Sequence, residues 1–273
     1  MTPSVSGPYA EVIGDPISHS KSPVIHGFWL KQLGIDADYR AQHVTPEGLG
    51  DYFAARRADP EWRGCNITIP HKQAALEFVE DRGDVRGTIG AINTVIRDGD
   101  ALVGTNTDAG GFYAPIAGLE LAGGHALVIG AGGAARAILF ALSKLGIGRV
   151  TIQNRNVLKA AALLSGFGIK GDAVPLGSPV PPVDLLINAS ALGMKGQPPL
   201  EIDLDPLPAD AVVYDIVYAP LETDLLAQAH ARELATVDGL DMLIGQAALA
   251  FELFFGTEPP RDRDDELRAL LTS

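Results

Sequence analysis

A glycine-rich turn between an apolar strand and an apolar helix limits the fold of this chain more than any other feature. The run Ala126–Ile129 predicts a buried strand, and Ala134–Leu145, rich in alanine and leucine, predicts the helix that follows it. The turn between them has the pattern Gly-x-Gly-x-x-Ala and begins at Gly130. Such a turn lets the pyrophosphate of a dinucleotide sit on the N-terminus of a helix. The sequence therefore predicts a dinucleotide-binding domain.

The next predicted strand, Arg149–Gln153, is followed by side chains that bear on the choice of dinucleotide. An NAD site has an acidic residue about twenty residues after the glycines, where it accepts hydrogen bonds from the ribose 2′-hydroxyl. This chain has Asn154 and Arg155 at that place. Because a guanidinium favours a 2′-phosphate, the sequence predicts NADP rather than NAD.

The composition is typical of a soluble globular chain. Its 273 residues are 47% hydrophobic and 20% charged, enough for one large or two moderate domains. No apolar run reaches the length of about eighteen residues that a membrane span needs, and no secretion signal is recognised at the N-terminus. The single cysteine, Cys65, lies in an apolar strand and cannot form an internal disulfide. We therefore expect a buried thiol and a cytoplasmic protein without membrane association.

Charge and histidine spacing exclude two further classes of protein. The formal net charge is −13, which would repel the phosphates of a nucleic acid. The six histidines are scattered and show no metal-binding spacing, so no metal site is expected. Any anionic ligand must then be bound by local donors.

Apolar runs alternate with helical stretches in both halves of the chain. In the second half the predicted strands are Ala126–Ile129, Arg149–Gln153, Asp184–Asn188, Ala211–Ile216 and Leu234–Val237. In the first half the strands are Tyr9–Ile13, Tyr39–Val44, Cys65–Ile69 and a hairpin from Ala91 to Gly104, with helices at Pro23–Leu33, Glu47–Ala58 and His71–Val79. Such alternation predicts an α/β fold of two domains, with the crevice between them as the default ligand site.

A cluster of serines follows the first predicted strand. Ser22 and Pro23 have the pattern of a helix start, with Ser22 as the N-cap. That interpretation leaves Ser18 and Ser20 unexplained. Hydroxyl groups clustered at a helix N-terminus also suit a carboxylate ligand, and the residues alone favour neither interpretation.

Two charged residues are candidates for chemistry, although each has an ordinary explanation. Lys72 follows the strand that carries Asn66 and Thr68 on one face, and a lysine at the end of a strand is usually solvated. Asp108 precedes a predicted helix, where an aspartate most often acts as the N-cap. Neither residue is convincing by itself.

Eight segments together resemble the signature blocks of the shikimate dehydrogenase family, in the same order and spacing, from about Tyr9 to Gly256. They are Gly14–Pro23, Asn66–Lys72, Gly90–Thr94, Asn106–Asp108, Gly130–Ala134, Asn154–Arg155, Tyr214–Tyr218 and Asp238–Ala248. The resemblance implies reversible, NADPH-dependent reduction of 3-dehydroshikimate to shikimate in aromatic amino-acid biosynthesis. It also implies an N-terminal substrate-binding domain, residues 1–107 with 242–273, and a Rossmann-type NADP domain with a doubly wound parallel sheet, residues 108–241. A C-terminal helix is expected to return to the first domain.

The resemblance assigns roles to individual residues. Lys72 and Asp108 would be the catalytic pair. The substrate would be bound by Ser20, Ser22, Thr68, Asn93, Asp108, Tyr218 and Gln246. The cofactor would be bound by Gly130, Ala131, Gly132, Gly133, Ala134, Asn154, Arg155, Asn156, Lys159, Ile216, Gly239 and Asp84.

The chain departs from the family pattern at three positions. Asn156 replaces the usual Thr or Ser of the 2′-phosphate loop, although its amide can still donate a hydrogen bond. Asp241 stands where Gly is common, and Ala109 follows Asp108 where Gly is usual. NADP remains the predicted cofactor.

Two alternative functions stay open on the sequence. One is a quinate/shikimate dehydrogenase that uses NAD or NADP. The other is a non-catalytic NADP-binding sensor of the same fold, which would be expected to lose Lys72 or Asp108, whereas this chain has both. In each case we expect a monomer or a homodimer with a small-molecule ligand.

Overall fold

The chain forms two compact units in a computed structural model that describes residues 7–272. One unit ends at Thr107 and resumes at Ile244, and the other is Asp108–Leu243. Residues 1–6 and 273, which the predicted domain limits include, lie outside the described residues.

The first unit is built on a mixed five-stranded sheet with the order β2-β1-β3-β4-β5. Its strands are β1 (Tyr9–Gly14), β2 (Asp38–His43), β3 (Trp62–Ile67), β4 (Thr94–Asp98) and β5 (Ala101–Thr105). The first three are parallel, whereas β3–β4 and β4–β5 pair antiparallel. The β4–β5 hairpin forms as predicted, and Gly99 in its turn has a φ of +60°. The helices so far along the chain are α1 (Ser22–Leu33), α2 (Leu49–Arg57) and α3 (Val85–Thr88).

The helix predicted over His71–Val79 is wrong, because only a single 3-10 turn, Ala74–Glu77, forms there. The segment is held at both ends. The buried ring of His71 hydrogen-bonds the carbonyl oxygen of Val44 at 2.7 Å. At the other end the backbone of Glu80 bonds to Leu102 and Gly104 at 2.8 and 3.0 Å. Contacts with distant segments thus fix the two ends of the stretch, and one 3-10 turn forms between them.

The prediction that Ser22 is the N-cap of α1 is also wrong. Lys21 is the N-cap, and Ser22 is the first helical residue. The carbonyl oxygen of Lys21 already accepts hydrogen bonds from the N–H groups of Val24 and Ile25, at 3.0 and 3.1 Å. The N–H of Ser22 donates to Oγ of Ser20 at 3.3 Å. The hydroxyl of Ser22 is therefore not used for capping.

The second unit is a six-stranded, fully parallel sheet with the order β11-β10-β9-β6-β7-β8. Its strands are β6 (His125–Ile129), β7 (Arg149–Asn154), β8 (Gly171–Pro175), β9 (Leu185–Asn188), β10 (Val212–Asp215) and β11 (Ala235–Val237). Its helices are α4 (Asp108–Tyr113), α5 (Gly133–Lys144), α6 (Val157–Gly166) and α7 (Asp224–Ala231). The predicted α/β fold class with a Rossmann-type sheet is confirmed.

The side chains of β6 belong alternately to two buried clusters, which shows that this sheet is covered on both faces. Ala126 and Val128 belong to one buried apolar cluster, whereas Leu127 and Ile129 belong to another. A strand that is apolar at every position is typical of a parallel sheet with helices on both sides. The edge strand β8 was not predicted because none of its residues is buried and it lacks an apolar run.

Two helices complete the chain, α8 (Gly239–Phe255) and α9 (Asp264–Thr272). Within the first unit, Phe251 and Phe254 of α8 pack around His26 of α1. The His26 ring also stacks on Tyr39, with 3.8 Å between ring centroids and 3° between planes. Both ring nitrogens of His26 are buried and have no hydrogen-bond partner among the described residues. Burial lowers the pKa of His26 to about 3.

Replacing His26 with phenylalanine is expected to make the protein less sensitive to acid. The unfolded chain binds a proton at His26 near its ordinary pKa of about 6.5, whereas the folded chain does not. Stability is therefore lost as pH falls below that value, by about 2 kcal/mol at pH 5 from this residue alone. We expect H26F to lack this part of the loss in urea unfolding measured at neutral pH and at pH 5. The exposed-histidine variant His19→Asn is the control, and an equal acid loss in H26F and the wild type would contradict the expectation.

Candidate active site

The glycine turn after β6 is shaped by a close backbone approach. Gly130 has a φ of +106°, and a Cβ added there would lie 2.9 Å from the carbonyl oxygen of Ala189. Its N–H donates to the carbonyl oxygen of Gln153 at 2.8 Å. Since Ala189 follows β9 and Gln153 lies in β7, the turn sits where the strand order reverses beside β6. Ligands of open parallel sheets bind at such a reversal.

The N-terminus of α5 is open in front of this turn. Gly132 is its N-cap and provides no side-chain cap. A Cβ built on Gly132 would meet no described atom within 4 Å. Ala131, Gly133 and Ala134 complete the loop. A helix start without a capping side chain, facing open space, fits the pyrophosphate of a dinucleotide.

The residues after β7 place positively charged side chains at the N-terminus of α6. Asn156 caps α6 by accepting a hydrogen bond at Oδ1 from the N–H of Lys159, at 3.0 Å. Nδ2 of Asn154 donates to the carbonyl oxygen of Asn156 at 2.8 Å. Arg155, Asn156 and Lys159 are all exposed. Asn156 thus replaces Thr or Ser without loss of the cap, and the cations around it fit a phosphate.

A buried carboxylate positions the segment after β10. Asp215 is fully buried and accepts hydrogen bonds from Asn188 Nδ2, Thr223 Oγ1 and the N–H of Val217, at 2.9, 2.7 and 3.0 Å. Burial raises its pKa, while these hydrogen bonds act in the opposite direction. None of Asn188, Asp215 and Thr223 was predicted from the sequence as a residue of the site. For Asn188 and Asp215, the sequence signal that could have identified them is a polar residue at the end of an otherwise apolar strand.

Ile216 and Gly239 lie together because of a second close approach. A Cβ on Gly239 would come within 2.6 Å of the carbonyl oxygen of Ile216 and 2.5 Å of the carbonyl group of Val217. Only glycine allows α8 to begin against this segment. Tyr218, two residues after Ile216, is partly buried, and burial raises the pKa of its phenol. Tyr218 therefore stays protonated and able to donate a hydrogen bond.

In the first unit, Asn93 is the centre of a buried row of polar side chains. Its Oδ1 accepts from the N–H of Thr107 at 2.7 Å and from Thr94 Oγ1 at 3.1 Å. Its Nδ2 donates to Thr107 Oγ1 at 2.9 Å and to Gln246 Oε1 at 3.3 Å. The row continues through Thr94 to Asn66, whose Nδ2 donates to Thr94 Oγ1 at 3.1 Å. Amides and hydroxyls from β3, β4 and α8 are thus fixed side by side.

Thr68 and Lys72 follow β3 on a segment that the backbone anchors to this row. The N–H of Thr68 donates to the carbonyl oxygen of Ile13 at 2.9 Å. The carbonyl oxygen of Lys72 accepts from the N–H of Ile92, the residue before Asn93, at 2.7 Å. Both side chains are half-buried. The lysine is therefore held at the end of the strand beside the Asn93 row and is not fully solvated.

Asp108 directly follows Thr107, which Asn93 holds. It is buried, and it is the first residue of α4 rather than the residue before the helix. Asp108 opens the second unit, whereas Lys72 and Asn93 belong to the first. Asp108 is therefore not the N-cap of α4, because it lies within the helix.

Asp84 lies apart from the glycine turn in the chain. It belongs to the first unit, is exposed, and caps α3 by accepting a hydrogen bond from the N–H of Gly87 at 3.3 Å. Its φ of +51° is left-handed. The carboxylate thus has a local structural role.

Neither a metal site nor a membrane helix is found between residues 7 and 272. No group of three or more His, Cys, Asp or Glu side chains there could hold a metal ion. Within the same range no helix is long and apolar enough to cross a membrane. Cys65 is a free, buried thiol, as expected, and burial raises its pKa far above the ordinary range.

Three family descriptions match parts of the chain. Residues 12–95 match the shikimate dehydrogenase substrate binding domain. Residues 114–189 match shikimate / quinate 5-dehydrogenase, and residues 239–264 match the shikimate 5′-dehydrogenase C-terminal domain. The matches fall on both units.

Individual relatives are similar over the full length. The chain is 63% identical over 274 residues to the shikimate dehydrogenase (NADP(+)) of Sphingopyxis alaskensis, covering 100% of each. A crystal structure of shikimate 5-dehydrogenase from Thermus thermophilus, in complex with NADP(H) and shikimate, has a TM-score of 0.87 and 36% identity, covering 97% of this chain and 99% of that one. A quinate dehydrogenase from Corynebacterium glutamicum in complex with NAD has a TM-score of 0.86 and 30% identity, covering 97% and 99%.

The eight-segment resemblance is therefore confirmed by identity along the whole chain and by a shared fold. Gly130, Gly239 and the residues of the Asn93 row lie within these segments. On this evidence the chain belongs to the shikimate dehydrogenase (NADP(+)) family.

Proposed function

We propose that this protein is an NADP-dependent shikimate dehydrogenase, an oxidoreductase that reduces 3-dehydroshikimate reversibly to shikimate. The observation that carries the proposal is the Asn93 row, which holds Gln246, Thr107 and Thr94 together in the first unit. A polyhydroxylated acid needs a partner for each buried hydroxyl, and fixed amides and hydroxyls supply such partners.

The cofactor is assigned to the second unit on the chemistry of its donors. The loop Gly130, Ala131, Gly132, Gly133 and Ala134 would hold the pyrophosphate, and Asn154, Arg155, Asn156 and Lys159 would surround the 2′-phosphate. Ile216 and Gly239 would approach the nicotinamide half, and Asp84 would be a further contact with the cofactor. Bound NADPH supplies the hydride, and the protein supplies orientation and electrostatics.

The substrate carboxylate is assigned to Ser20, Ser22 and Tyr218. Ser20 Oγ accepts from the N–H of Ser22, so its own O–H is directed elsewhere and can donate. The phenol of Tyr218 is kept protonated by burial. The ring hydroxyls are assigned to Thr68, Asn93, Asp108 and Gln246.

Lys72 and Asp108 are assigned as the catalytic pair. Reduction of the ketone leaves negative charge on its oxygen, and a positioned donor must neutralise and protonate it. The Lys72 ammonium donates that proton, and in the reverse direction the amine takes it back from the hydroxyl. The Asp108 carboxylate orients the lysine and a neighbouring substrate hydroxyl.

Two alternative functions remain to be compared with the proposed one. A quinate/shikimate dehydrogenase would differ in cofactor or ring specificity, and an NADP-binding sensor would have no catalytic activity. Arg155 and Lys159 favour NADP, because an NAD site needs an acidic residue there. A sensor without activity would not need Lys72 and Asp108. The deciding experiment is to measure NADPH formation by its near-ultraviolet absorbance with shikimate, with quinate, and with NAD in place of NADP. NADP reduction with shikimate supports the proposal, and no turnover with any pair of substrates would refute it.

We also propose a cytoplasmic monomer or homodimer. The reduced, buried Cys65 is compatible with a reducing compartment. Sedimentation equilibrium of the purified protein would distinguish the two oligomeric states, and cell fractionation would test the location.

Arg155→Ala is expected to change cofactor preference. A charge-assisted contact with a phosphate contributes about 1.5–3 kcal/mol. The KM for NADP should therefore rise roughly ten- to a hundredfold, whereas the KM for NAD should stay nearly the same. Arg149→Ala is the matched control, because Arg149 is exposed at the start of the same strand and pairs with Asp172. Equal losses with both cofactors would contradict the role.

Lys72→Met is expected to lower kcat by roughly a hundredfold or more, the scale for losing a positioned proton-transfer group. The methionine keeps the apolar stem and removes the charge. Because the loss falls on the transition state, the KM for shikimate should change much less. Lys31→Met, at an exposed position on α1, serves as the control. Near-normal kcat with a large rise in KM would instead assign Lys72 to binding.

A further inference from the structure

Asn66 is a buried amide in β3 to which the proposed function gives no role. It is 5% exposed and lies at one end of the Asn93 row. Its Oδ1 is 2.6 Å from the hydroxyl of Tyr39. Its Nδ2 is 3.1 Å from Oγ1 of Thr94 and 3.4 Å from the carbonyl oxygen of Asn93. Each end of the Asn66 amide thus has a hydrogen-bond partner.

Two backbone groups fix the direction of the hydrogen bonds along the row. The N–H of Thr107 can only donate, so the atom of Asn93 that it contacts at 2.7 Å is the acceptor Oδ1. The carbonyl oxygen of Asn93 can only accept, so the atom of Asn66 that it contacts is the donor Nδ2. The same nitrogen donates to Thr94, and the other end of the Asn66 amide accepts from Tyr39.

The hydrogen bond from Asn66 determines where the Thr94 proton goes. A threonine hydroxyl has one proton, and the oxygen of Thr94 already accepts from Nδ2 of Asn66. The proton of Thr94 is therefore directed along the row, to Oδ1 of Asn93 at 3.1 Å or to Oγ1 of Thr107 at 3.3 Å. Oγ1 of Thr107 in turn lies 3.3 Å from the same Oδ1. By either route a hydroxyl can donate to the amide oxygen of Asn93, in addition to the N–H of Thr107.

The amide oxygen of Asn93 is thus occupied by groups of the protein. An amide oxygen has two lone pairs, and here a backbone N–H and a hydroxyl use them. Asn93 can therefore contact a ligand only as a donor, through Nδ2. Because this nitrogen can only donate, the atom of Gln246 that it contacts at 3.3 Å is Oε1, and the donor Nε2 is at the other end of that amide. The two amides present N–H groups rather than oxygens.

We propose that Asn66 is a positioning residue for substrate binding, which acts through Thr94 to hold Asn93 and Gln246 as hydrogen-bond donors to the substrate. The inference rests on the proposed function, which assigns ring hydroxyls to these two amides. An amide that is already fixed in direction is not reoriented when the substrate binds, and such preorganisation adds affinity. Hydroxyl and carbonyl oxygens both accept hydrogen bonds, so a pair of donors suits the reduced and the oxidised form of the ring.

The test is a double-mutant cycle on shikimate binding, measured by calorimetric titration of the full chain. Asn66→Leu is made in the wild type and in Thr94→Val, which lacks the hydroxyl that accepts from Asn66. We expect Asn66→Leu to raise the Kd for shikimate about fivefold in the wild type, the effect of one neutral hydrogen bond, and much less in Thr94→Val. Loss of the acceptor for the Tyr39 hydroxyl is common to both backgrounds and cancels in the comparison.

The controls separate this role from general effects on the fold. Thr94→Ser keeps the hydroxyl and should retain the Kd of the wild type for shikimate, whereas Thr94→Val should not. Tyr52→Phe removes a buried phenol of the same unit, bonded to Glu11 at 2.8 Å, and should leave this Kd unchanged. The Kd for NADP should not change in any variant.

Two outcomes of the cycle have different meanings. An equal Kd ratio for Asn66→Leu in the wild type and in Thr94→Val would overturn the inference and leave the proposed function intact, because a general effect on the fold does not depend on the Thr94 hydroxyl. Failure of the wild type to bind shikimate would overturn the proposed function, and the inference with it.

A measurement on the unsubstituted protein covers the case in which Asn66→Leu does not fold. The side-chain amide groups are observed by NMR after labelling with nitrogen-15. Saturating shikimate should move at least one amide proton of Gln246 downfield, because a proton donated to a ligand oxygen is deshielded. The amide protons of Gln228, exposed on α7, should stay in place. Amide protons of Gln246 that do not move, or that move upfield, would overturn the inference.

Discussion

The Asn93 side chain is the contact on which the first unit's polar site depends. Asn93 is 2% exposed, and its amide makes hydrogen bonds at both ends, to Thr107 before α4, to Thr94 at the start of β4 and to Gln246 in α8. A buried amide left without partners would be costly, so the three segments are held where these bonds can form. One side chain thus joins residues that are far apart in the sequence.

The second unit obtains its site differently, from backbone rather than from side chains. At Gly130 and Gly239 two chain segments approach so closely that a Cβ would overlap a carbonyl group. The buried carboxylate of Asp215 fixes the segment that Gly239 contacts. In both places, steric exclusion and internal hydrogen bonds fix the backbone at positions that we propose to bind the cofactor.

Much of the fold and of the candidate site could be predicted from the sequence, because the features that determine them are local. The turn at Gly130 lies between an apolar strand and a helix, and the fold class follows from the alternation of such runs. Two predictions were wrong for different reasons. Between His71 and Glu80, contacts with distant segments hold a stretch that the local pattern predicts to be a helix. At the start of α1 the error is local and amounts to one residue, because the carbonyl oxygen of Lys21 already accepts the first hydrogen bonds of the helix.

The exposure of Arg155 and Lys159 has a consequence for how such enzymes diverge. Neither side chain contributes to the buried core, and the cap of α6 is made by Asn156. Substitutions at the two cations can therefore accumulate without loss of folding, whereas Gly130 admits no side chain. Under the proposed assignment of the 2′-phosphate to these cations, preference between the two nicotinamide dinucleotides is thus open to gradual change by selection. The ability to bind either of them is constrained by the backbone and is retained.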